Sequence, residues 1–232
     1  MHRRCETVVV VTDRPRYVAI IMDGNARWAR ARGVGVTEGH RAGTETLKQT
    51  IKLAGEFGIE QLTVYAFSTE NWSRPLEEVA GIMSLFLERI RREAVEMDEE
   101  GVRLRFIGRR DRISPQVAEE IDWAEQLTAR HAGRTVFVGF DYGGRAEILH
   151  AAERYQGGGE DEFRRHLYAP DLKDPELIIR TGGELRLSNF LLWESAYSEL
   201  YFSDRLWPDF DREEFERALD AFASREYRFG GR

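Results

Sequence analysis

The chain has 232 residues, and its 34 Lys and Arg against 41 Asp and Glu give a formal net charge of -7. This acidic balance excludes a general nucleic-acid binder, because such proteins present a basic surface. Hydrophobic residues make up 42% of the chain, which excludes global disorder and is enough for one large domain or two small ones.

Cysteines and long apolar runs are scarce, which restricts the compartment. Cys5 is the only cysteine, so the chain alone builds neither a disulfide framework nor a thiolate metal site, and a reducing compartment fits best. No stretch approaches the ~18 apolar residues of a membrane span, and the first apolar run is too short before charges resume. We expect a soluble, cytoplasmic protein without a stable membrane anchor.

Short apolar runs rich in branched residues alternate with longer segments of helical period. The predicted strands cover residues 17–22, 61–67, 102–107, 135–140 and 177–179, and the predicted helices cover residues 40–57, 75–99, 114–130, 144–155 and 211–225. This alternation predicts an α/β fold with a mostly parallel central sheet and helices on both faces. Ligands of such sheets bind beyond the carboxyl ends of the strands, so the polar motifs that follow strands are the candidate site.

The first predicted strand runs directly into Asp23, Gly24 and Asn25, and Arg27 follows. A carboxylate at the end of a strand can hold Mg²⁺, the glycine permits close backbone approach, and the arginine can meet a phosphate. The same residues also suit an Asp-Gly-Asn turn that caps the next helix. This motif alone leaves both interpretations open.

Two further polar segments lie at helix starts. His40 opens a long helix, where backbone amides and the helix dipole favour an anion, although a lone histidine there is more often a cap or a surface residue. Residues 67–74, after the second strand, combine hydroxyl, carboxylate, amide and guanidinium groups. A simple N-cap at Ser73 or Asn71 explains only part of that run.

A third cluster follows the last predicted strand. Arg180, Arg186 and Ser188 surround a double glycine and form a candidate diphosphate clamp. Two anion sites in an acidic protein suggest two phosphorylated substrates, and the aromatic and leucine residues around them suggest apolar walls. The sequence has no Walker loop and no G-x-G-x-x-G fingerprint, so nucleotide binding has little support.

Together these motifs resemble those of the cis-prenyltransferase family, of the undecaprenyl diphosphate synthase type. The resemblance spans residues 17–230. It is carried by MDGNARWA (residues 22–29), GHRAG (39–43), YAFSTENWSRP (65–75), RTGGELRLSNFLLWESAYSELYF (180–202), WPDF (207–210) and RFGG (228–231). We therefore expect a flexible segment over residues 1–16, one catalytic domain of the cis-prenyltransferase fold over residues 17–232, and a homodimer.

The resemblance implies a Mg²⁺-dependent enzyme that joins an allylic diphosphate to a five-carbon isoprenyl diphosphate and forms a cis double bond. Asp23 would be the catalytic anchor of Mg²⁺ and diphosphate, and Glu199 a second carboxylate near the metal. Ser68 and Asn71 would assist proton removal. The candidates for the base that accepts the proton are these two residues and the acceptor's own diphosphate. The substrate-binding residues implied by the motifs are Gly24, Asn25, Arg27, Trp28, His40, Phe67, Glu70, Trp72, Arg74, Arg180, Arg186, Ser188, Arg228 and Gly230.

The chain departs from the family pattern in ways that bear on substrate choice. Ala26 replaces a usual glycine, Val36 a common arginine and Leu185 a frequent histidine. The guanidinium that is missing at Val36 would contribute a contact worth about 1.5–3 kcal/mol. The motifs therefore leave open which allylic diphosphate the enzyme uses. The segment between residues 142 and 180 is short, and Phe137 and Phe140 lie on a strand that borders the family's product tunnel. Both features favour a short or medium product.

Two alternatives stand beside the regular chain elongator. Some family members couple two short isoprenyl units in an irregular, branched, head-to-middle manner, and the motifs fit that reaction equally well. A catalytically silent partner subunit is the other alternative. Retention of Asp23, Asn71 and Arg180 in one chain argues against it.

Overall fold

The computed structural model describes residues 9–10, 14–224 and 226–227. Its strands are β1 (Val9–Val10), β2 (Tyr17–Ile21), β3 (Gln61–Ser68), β4 (Val102–Ile107), β5 (Arg134–Tyr142), β6 (Leu177–Arg180), β7 (Glu199–Phe202) and β8 (Glu226–Tyr227). Its α-helices are α1 (Asn25–Ala31), α2 (Val36–Glu56), α3 (Leu76–Glu99), α4 (Pro115–Thr128), α5 (Gly144–Ala152), α6 (Glu160–Arg164) and α7 (Arg212–Ala223). Short 3₁₀ helices cover Thr69–Ser73 and Trp207–Asp209.

The central sheet has six strands in the order β4-β5-β3-β2-β6-β7, and every neighbouring pair is parallel. A separate two-stranded antiparallel ribbon pairs β1 with β8. The predicted α/β fold is confirmed, and the sheet is entirely rather than mostly parallel. All five predicted strands are present with shifts of at most two residues, because their apolar runs are buried on both faces.

The elements that the sequence did not predict are short or partly exposed. Strand β7 lies at the edge of the sheet and its four residues are only half-buried, so its apolar run is weak. Helix α1 follows the Asp-Gly-Asn turn, and α6 has five residues. Helix α2 begins at Val36, four residues before the predicted start, because extended backbone at Gly35 precedes it.

Alternate residues of the central strands pack into two separate cores. Val18 and Ile20 face the core beneath α2 and α3, whereas Ala19 and Ile21 face the core on the opposite side. Since all strands are parallel, β2, β3 and β6 end at the same edge of the sheet. Among the described residues, no helix is both long enough and apolar enough to cross a bilayer.

Candidate active site

A polar cavity of about 620 Å³ lies beyond the carboxyl ends of β2, β3 and β6. Nine of the residues predicted from the sequence line it: Asp23, Asn25, His40, Ser68, Glu70, Asn71, Arg74, Arg180 and Ser188. The fold thus brings together segments that lie up to 165 residues apart in sequence. This convergence follows from the parallel strand order, which directs successive strand ends to one edge.

Asp23 lies between two arginines at the floor of this cavity. Its carboxylate accepts a hydrogen bond from Arg180 at 2.9 Å and pairs with Arg27 at 3.1 Å. The Asp23 amide donates to the Thr181 hydroxyl at 2.9 Å, and that hydroxyl donates to the Asp23 carbonyl oxygen at 2.8 Å. Gly24 follows with φ 119°, a conformation that favours glycine. The carboxylate is therefore held in a defined position.

Arg180 is 4% exposed and links this carboxylate to the loop after β6. Its guanidinium donates to the Ser188 hydroxyl at 2.6 Å and to the carbonyl oxygen of Arg186. Ser188 and Asn189 both adopt positive φ, a strained conformation that the surrounding contacts must hold. The side chain of Arg186, in contrast, is 61% exposed and pairs with Glu184. The predicted clamp is thus only partly assembled.

The 3₁₀ helix after β3 places Ser68 and Asn71 at the cavity wall. The Asn71 side-chain oxygen accepts a hydrogen bond from the Ser68 amide at 3.0 Å, which leaves the NH₂ group of Asn71 as a donor. Glu70 accepts from the Asn189 amide group at 2.8 Å and joins this helix to the loop after β6. The two polar segments therefore support each other.

Phe67, on β3, and Trp72, on this 3₁₀ helix, are not part of the cavity lining. Their rings meet edge-to-face at a centroid distance of 5.1 Å, and the Trp72 indole donates to buried Asp141 at 2.8 Å. Arg112 pairs with the same carboxylate. The structure thus gives Phe67 and Trp72 a supporting position. Trp28 lies outside as well, and its indole donates to Asp209 at 2.9 Å.

His40, Arg74 and Glu78 form a second charged group at the cavity. Glu78 pairs with Arg74 at 2.8 Å and lies 3.6 Å from His40. Burial of the imidazole makes the largest contribution to lowering the pKa of His40, and the positive charge of Arg74 lowers it further. The neutral form of the imidazole is therefore favoured at pH 7. The His40 Nε2 atom and the Asn25 side-chain oxygen are buried without a hydrogen-bond partner among the described residues.

The charges around His40 predict opposite responses to two substitutions. Arg74→Met should raise the pKa of His40 because a nearby cation is removed, whereas Glu78→Gln should lower it because an anion is removed. NMR titration of the imidazole resonances measures both shifts. His131, which contacts Asp98 at the far end of α3, serves as the internal control. Shifts of equal sign in both variants would contradict this electrostatic account.

A second, mostly apolar cavity of about 180 Å³ continues from the polar one between α2, α3 and the sheet. The two cavities share five lining residues: Met22, Asn25, His40, Ala66 and Ile82. Phe140 lines the apolar cavity, as predicted, but Phe137 does not. Phe137 faces the core on the other side of the sheet, because successive strand residues alternate between faces and the two residues lie three positions apart. The prediction for Phe137 was therefore wrong.

The structure does not bring Glu199 to Asp23 within one chain. Glu199 begins β7 and pairs in register with Leu177, whereas Asp23 follows the far end of β2. The two carboxylates are therefore separated by about 10 Å or more along the strands. No group of three or more His, Cys, Asp or Glu side chains among the described residues is arranged to hold a metal ion. Arg228 and Gly230 lie outside the described residues.

Sequence reasoning missed several residues of the cavity. Arg145 and Asn189 both line it, and the Asn189 side chain accepts a hydrogen bond from the Arg145 amide at 2.8 Å. Arg145 follows the carboxyl end of β5, so the rule that led to the other motifs could have identified it. Thr181 and Glu78 act through Asp23 and His40, and only their contacts reveal them.

Comparison with known proteins identifies the family. The family model of undecaprenyl diphosphate synthase, a prenyltransferase model, matches residues 21–230. An isoprenyl transferase of Thermotoga maritima is 49% identical over 226 residues, which cover 94% of this chain and 97% of that protein. A farnesyl-diphosphate-specific ditrans,polycis-undecaprenyl-diphosphate synthase of Pectobacterium atrosepticum is 46% identical, over 94% of this chain and 90% of that protein.

A solved structure has the same fold. The lavandulyl diphosphate synthase of Lavandula x intermedia, in complex with dimethylallyl diphosphate, matches with a TM-score of 0.88 and 34% identity. The match covers 94% of this chain and 98% of that one. The sequence motifs, the parallel sheet and these matches agree, and the chain belongs to the cis-prenyltransferase family of undecaprenyl diphosphate synthase.

Proposed function

We propose that this prenyltransferase condenses an allylic diphosphate with a five-carbon isoprenyl diphosphate and releases a short or medium cis-prenyl diphosphate. One observation carries the proposal: a polar cavity lined by arginines opens through shared residues into an apolar cavity. Such a pair of cavities suits an amphiphile with an anionic head and a hydrocarbon tail. The head would lie near Asp23 and Arg74, and the tail would extend between α2 and α3.

The charged residues suit the bond-breaking step. When diphosphate leaves an allylic carbon, negative charge grows on its oxygens and positive character grows on carbon. Arg74, Arg27 and Arg180 lie where they can stabilise the departing oxygens, and fixed donors of this kind contribute strongly to catalysis. The apolar cavity shields the carbon from water until the double bond of the acceptor attacks it.

The new bond leaves a cation on the acceptor, which then loses a proton. We propose that Ser68 and Asn71 position the acceptor for this loss, since both line the cavity and the NH₂ group of Asn71 is free to donate. Arg180 and Ser188 would hold the acceptor diphosphate. That diphosphate would lie close to the reacting carbon, so we propose that it takes up the released proton.

A single carboxylate suits Mg²⁺ in this cavity. Protein sites for Mg²⁺ commonly use one or two carboxylates, and substrate phosphates and water complete the shell. Asp23 faces the cavity and meets that requirement without a second carboxylate from this chain. We propose that Asp23 holds Mg²⁺, which would neutralise charge on the leaving diphosphate.

The length of the apolar cavity predicts the product of one variant. Phe140→Ala should raise the largest product by at least one five-carbon unit, because the Phe140 ring packs against Phe86 at 4.7 Å in the cavity wall. Mass spectrometry of the products measures the change. Phe137→Ala removes a ring from the same strand but on the other face, and it should leave product length unchanged. Equal lengthening in both variants would contradict this assignment.

The proposed reaction is tested with defined substrates. Purified protein and Mg²⁺ are incubated with dimethylallyl, geranyl or farnesyl diphosphate, each with and without isopentenyl diphosphate, and products are identified by mass spectrometry and NMR. Products with new cis double bonds that require isopentenyl diphosphate support the proposal. A branched product from dimethylallyl diphosphate alone would establish irregular coupling. We retain irregular coupling as a second candidate because the fold matches that of a lavandulyl diphosphate synthase. No product in any mixture would indicate the silent subunit.

We also propose a cytoplasmic homodimer. The family resemblance implies that the C-terminal RFGG segment, residues 228–231, reaches into the partner subunit's site. Analytical ultracentrifugation tests the dimer, and deletion of residues 228–232 should then reduce activity while the dimer persists. A monomeric, fully active enzyme would contradict the proposal.

A further inference from the structure

A positively charged side chain lines the inner part of the apolar cavity. Arg89 shares this lining with Leu85, Phe86 and Ile90 on α3. Ile82, on the same helix, also lines the polar cavity and thus marks the entrance. Arg89 follows two helical turns later, about 10 Å further along the helix axis. A hydrocarbon tail that enters past Ile82 therefore meets Arg89 after the first part of the cavity.

Arg89 is held in the cavity wall by carboxylates from both helices. Its guanidinium donates a hydrogen bond to Glu45 of α2 and lies 3.7 Å from Glu93 of α3. The side chain is only 12% exposed, and within the described part of the chain its buried Nε atom has no hydrogen-bond partner. These contacts join α2 to α3 and keep the guanidinium beside a mostly apolar space.

The space does not end at Arg89. A further cavity of about 60 Å³ lies between the same two helices, and Leu47, Glu93 and Met97 line both cavities. Its wall carries ion pairs of Lys48 with Glu96 and of Lys52 with Glu100. Arg89 lines only the cavity nearer the entrance, and Glu93, one turn further along α3, lines both, so the Arg89–Glu93 ion pair lies where the apolar space meets this charged extension.

We propose that Arg89, held by Glu45 and Glu93, is a specificity residue that sets the upper limit of the prenyl tail. The inference rests on the proposed chain elongation. A tail that grows past Arg89 must either lie against the guanidinium or displace it from its carboxylates. Displacing the guanidinium costs free energy because it separates a buried charge from its partners. Packing the tail against it costs free energy because it buries the charge further from water. Elongation therefore stops when the tail reaches Arg89.

Three variants test the limit by product analysis. Arg89→Leu removes charge and length, whereas Arg89→Met keeps much of the length and removes the charge. Both should increase the largest product by at least one five-carbon unit and raise its share at least tenfold. Arg92→Leu is the matched control, because Arg92 also pairs with Glu93, at 3.0 Å, but is 56% exposed and does not line the cavity. Its products should equal those of the wild type.

A binding measurement separates this limit from turnover. Geranyl, farnesyl and geranylgeranyl diphosphates are titrated calorimetrically into wild type and each variant without isopentenyl diphosphate. In the wild type the affinity should stop rising once the tail reaches Arg89. In Arg89→Leu the next longer diphosphate should bind about tenfold more tightly than in the wild type, because its last unit is now buried.

The outcomes separate this inference from the proposed function. A wild type that makes no elongated product refutes the chain elongation itself. Suppose instead that the wild type elongates and that both Arg89 variants fold. If these variants have the same largest product and the same dependence of affinity on tail length as the wild type, the role of Arg89 is overturned. Lengthening in Arg89→Leu but not in Arg89→Met would overturn the role of the charge and assign the limit to side-chain bulk. Circular dichroism and thermal melting confirm that each variant is folded.

Discussion

Asp23→Asn is expected to lower kcat by about three orders of magnitude while the protein stays folded. The substitution preserves the shape of the side chain but removes the negative charge that faces both Arg27 and Arg180. If Asp23 holds the metal ion that neutralises the leaving diphosphate, loss of that charge removes a stabilisation present mainly in the transition state. Steady-state kinetics with saturating substrates and Mg²⁺ measures the effect.

Asp171→Asn is the matched control for Asp23→Asn. Asp171 also pairs with an arginine, Arg105 at 2.8 Å, but it lies outside both cavities. Its kcat should stay within twofold of the wild type. An Asp23→Asn enzyme with wild-type kcat and wild-type dependence on Mg²⁺ concentration would refute the metal assignment.

Arg180→Met is expected to damage both stability and catalysis. The arginine is almost fully buried and links Asp23 to Ser188, so its loss leaves the Asp23 carboxylate paired with Arg27 alone and removes the hydrogen bond to the Ser188 hydroxyl. A lost hydrogen bond to a charged group costs about 1.5–3 kcal/mol, which corresponds to a fall in Tm of about 3–12 °C for a chain of this size. The same guanidinium is proposed to bind diphosphate. We therefore expect kcat/KM for the isoprenyl diphosphate to fall at least a hundredfold.

Arg186→Met separates the two effects, because the Arg186 side chain is exposed and, among the residues that the structure describes, pairs only with Glu184. Its free energy of unfolding should stay within about 0.5 kcal/mol of the wild type. If Arg186 also contacts the second diphosphate, KM for that substrate rises without a change in Tm. Thermal melting and kinetics on both variants provide the comparison. A stable Arg180→Met enzyme with unchanged KM would contradict the position and role given to Arg180.

The sequence by itself determined the class of fold and most of the candidate site. Apolar runs and helical periods depend on local residue order. The ends of all five predicted strands therefore agree with the structure to within two residues. The polar motifs after strands contain eight of the nine predicted cavity residues, because parallel strands end at one edge, and the ninth, His40, came from a motif at a helix start. The edge strand β7 was missed, since a half-buried strand has a weaker apolar signal.

Only the tertiary structure decided which face or end of the sheet each residue occupies. Phe137 and Phe140 lie three positions apart, so strand alternation places them on opposite faces, but only the tertiary structure shows that the face of Phe140 borders the apolar cavity. Glu199 follows a site motif but begins its strand, and parallel pairing then carries it away from Asp23. Arg89 belongs to a helix whose pattern predicts a simple core-facing stripe, and its position in the cavity depends on carboxylates from two helices. Such long-range contacts have no local pattern, because they arise only when distant segments pack together.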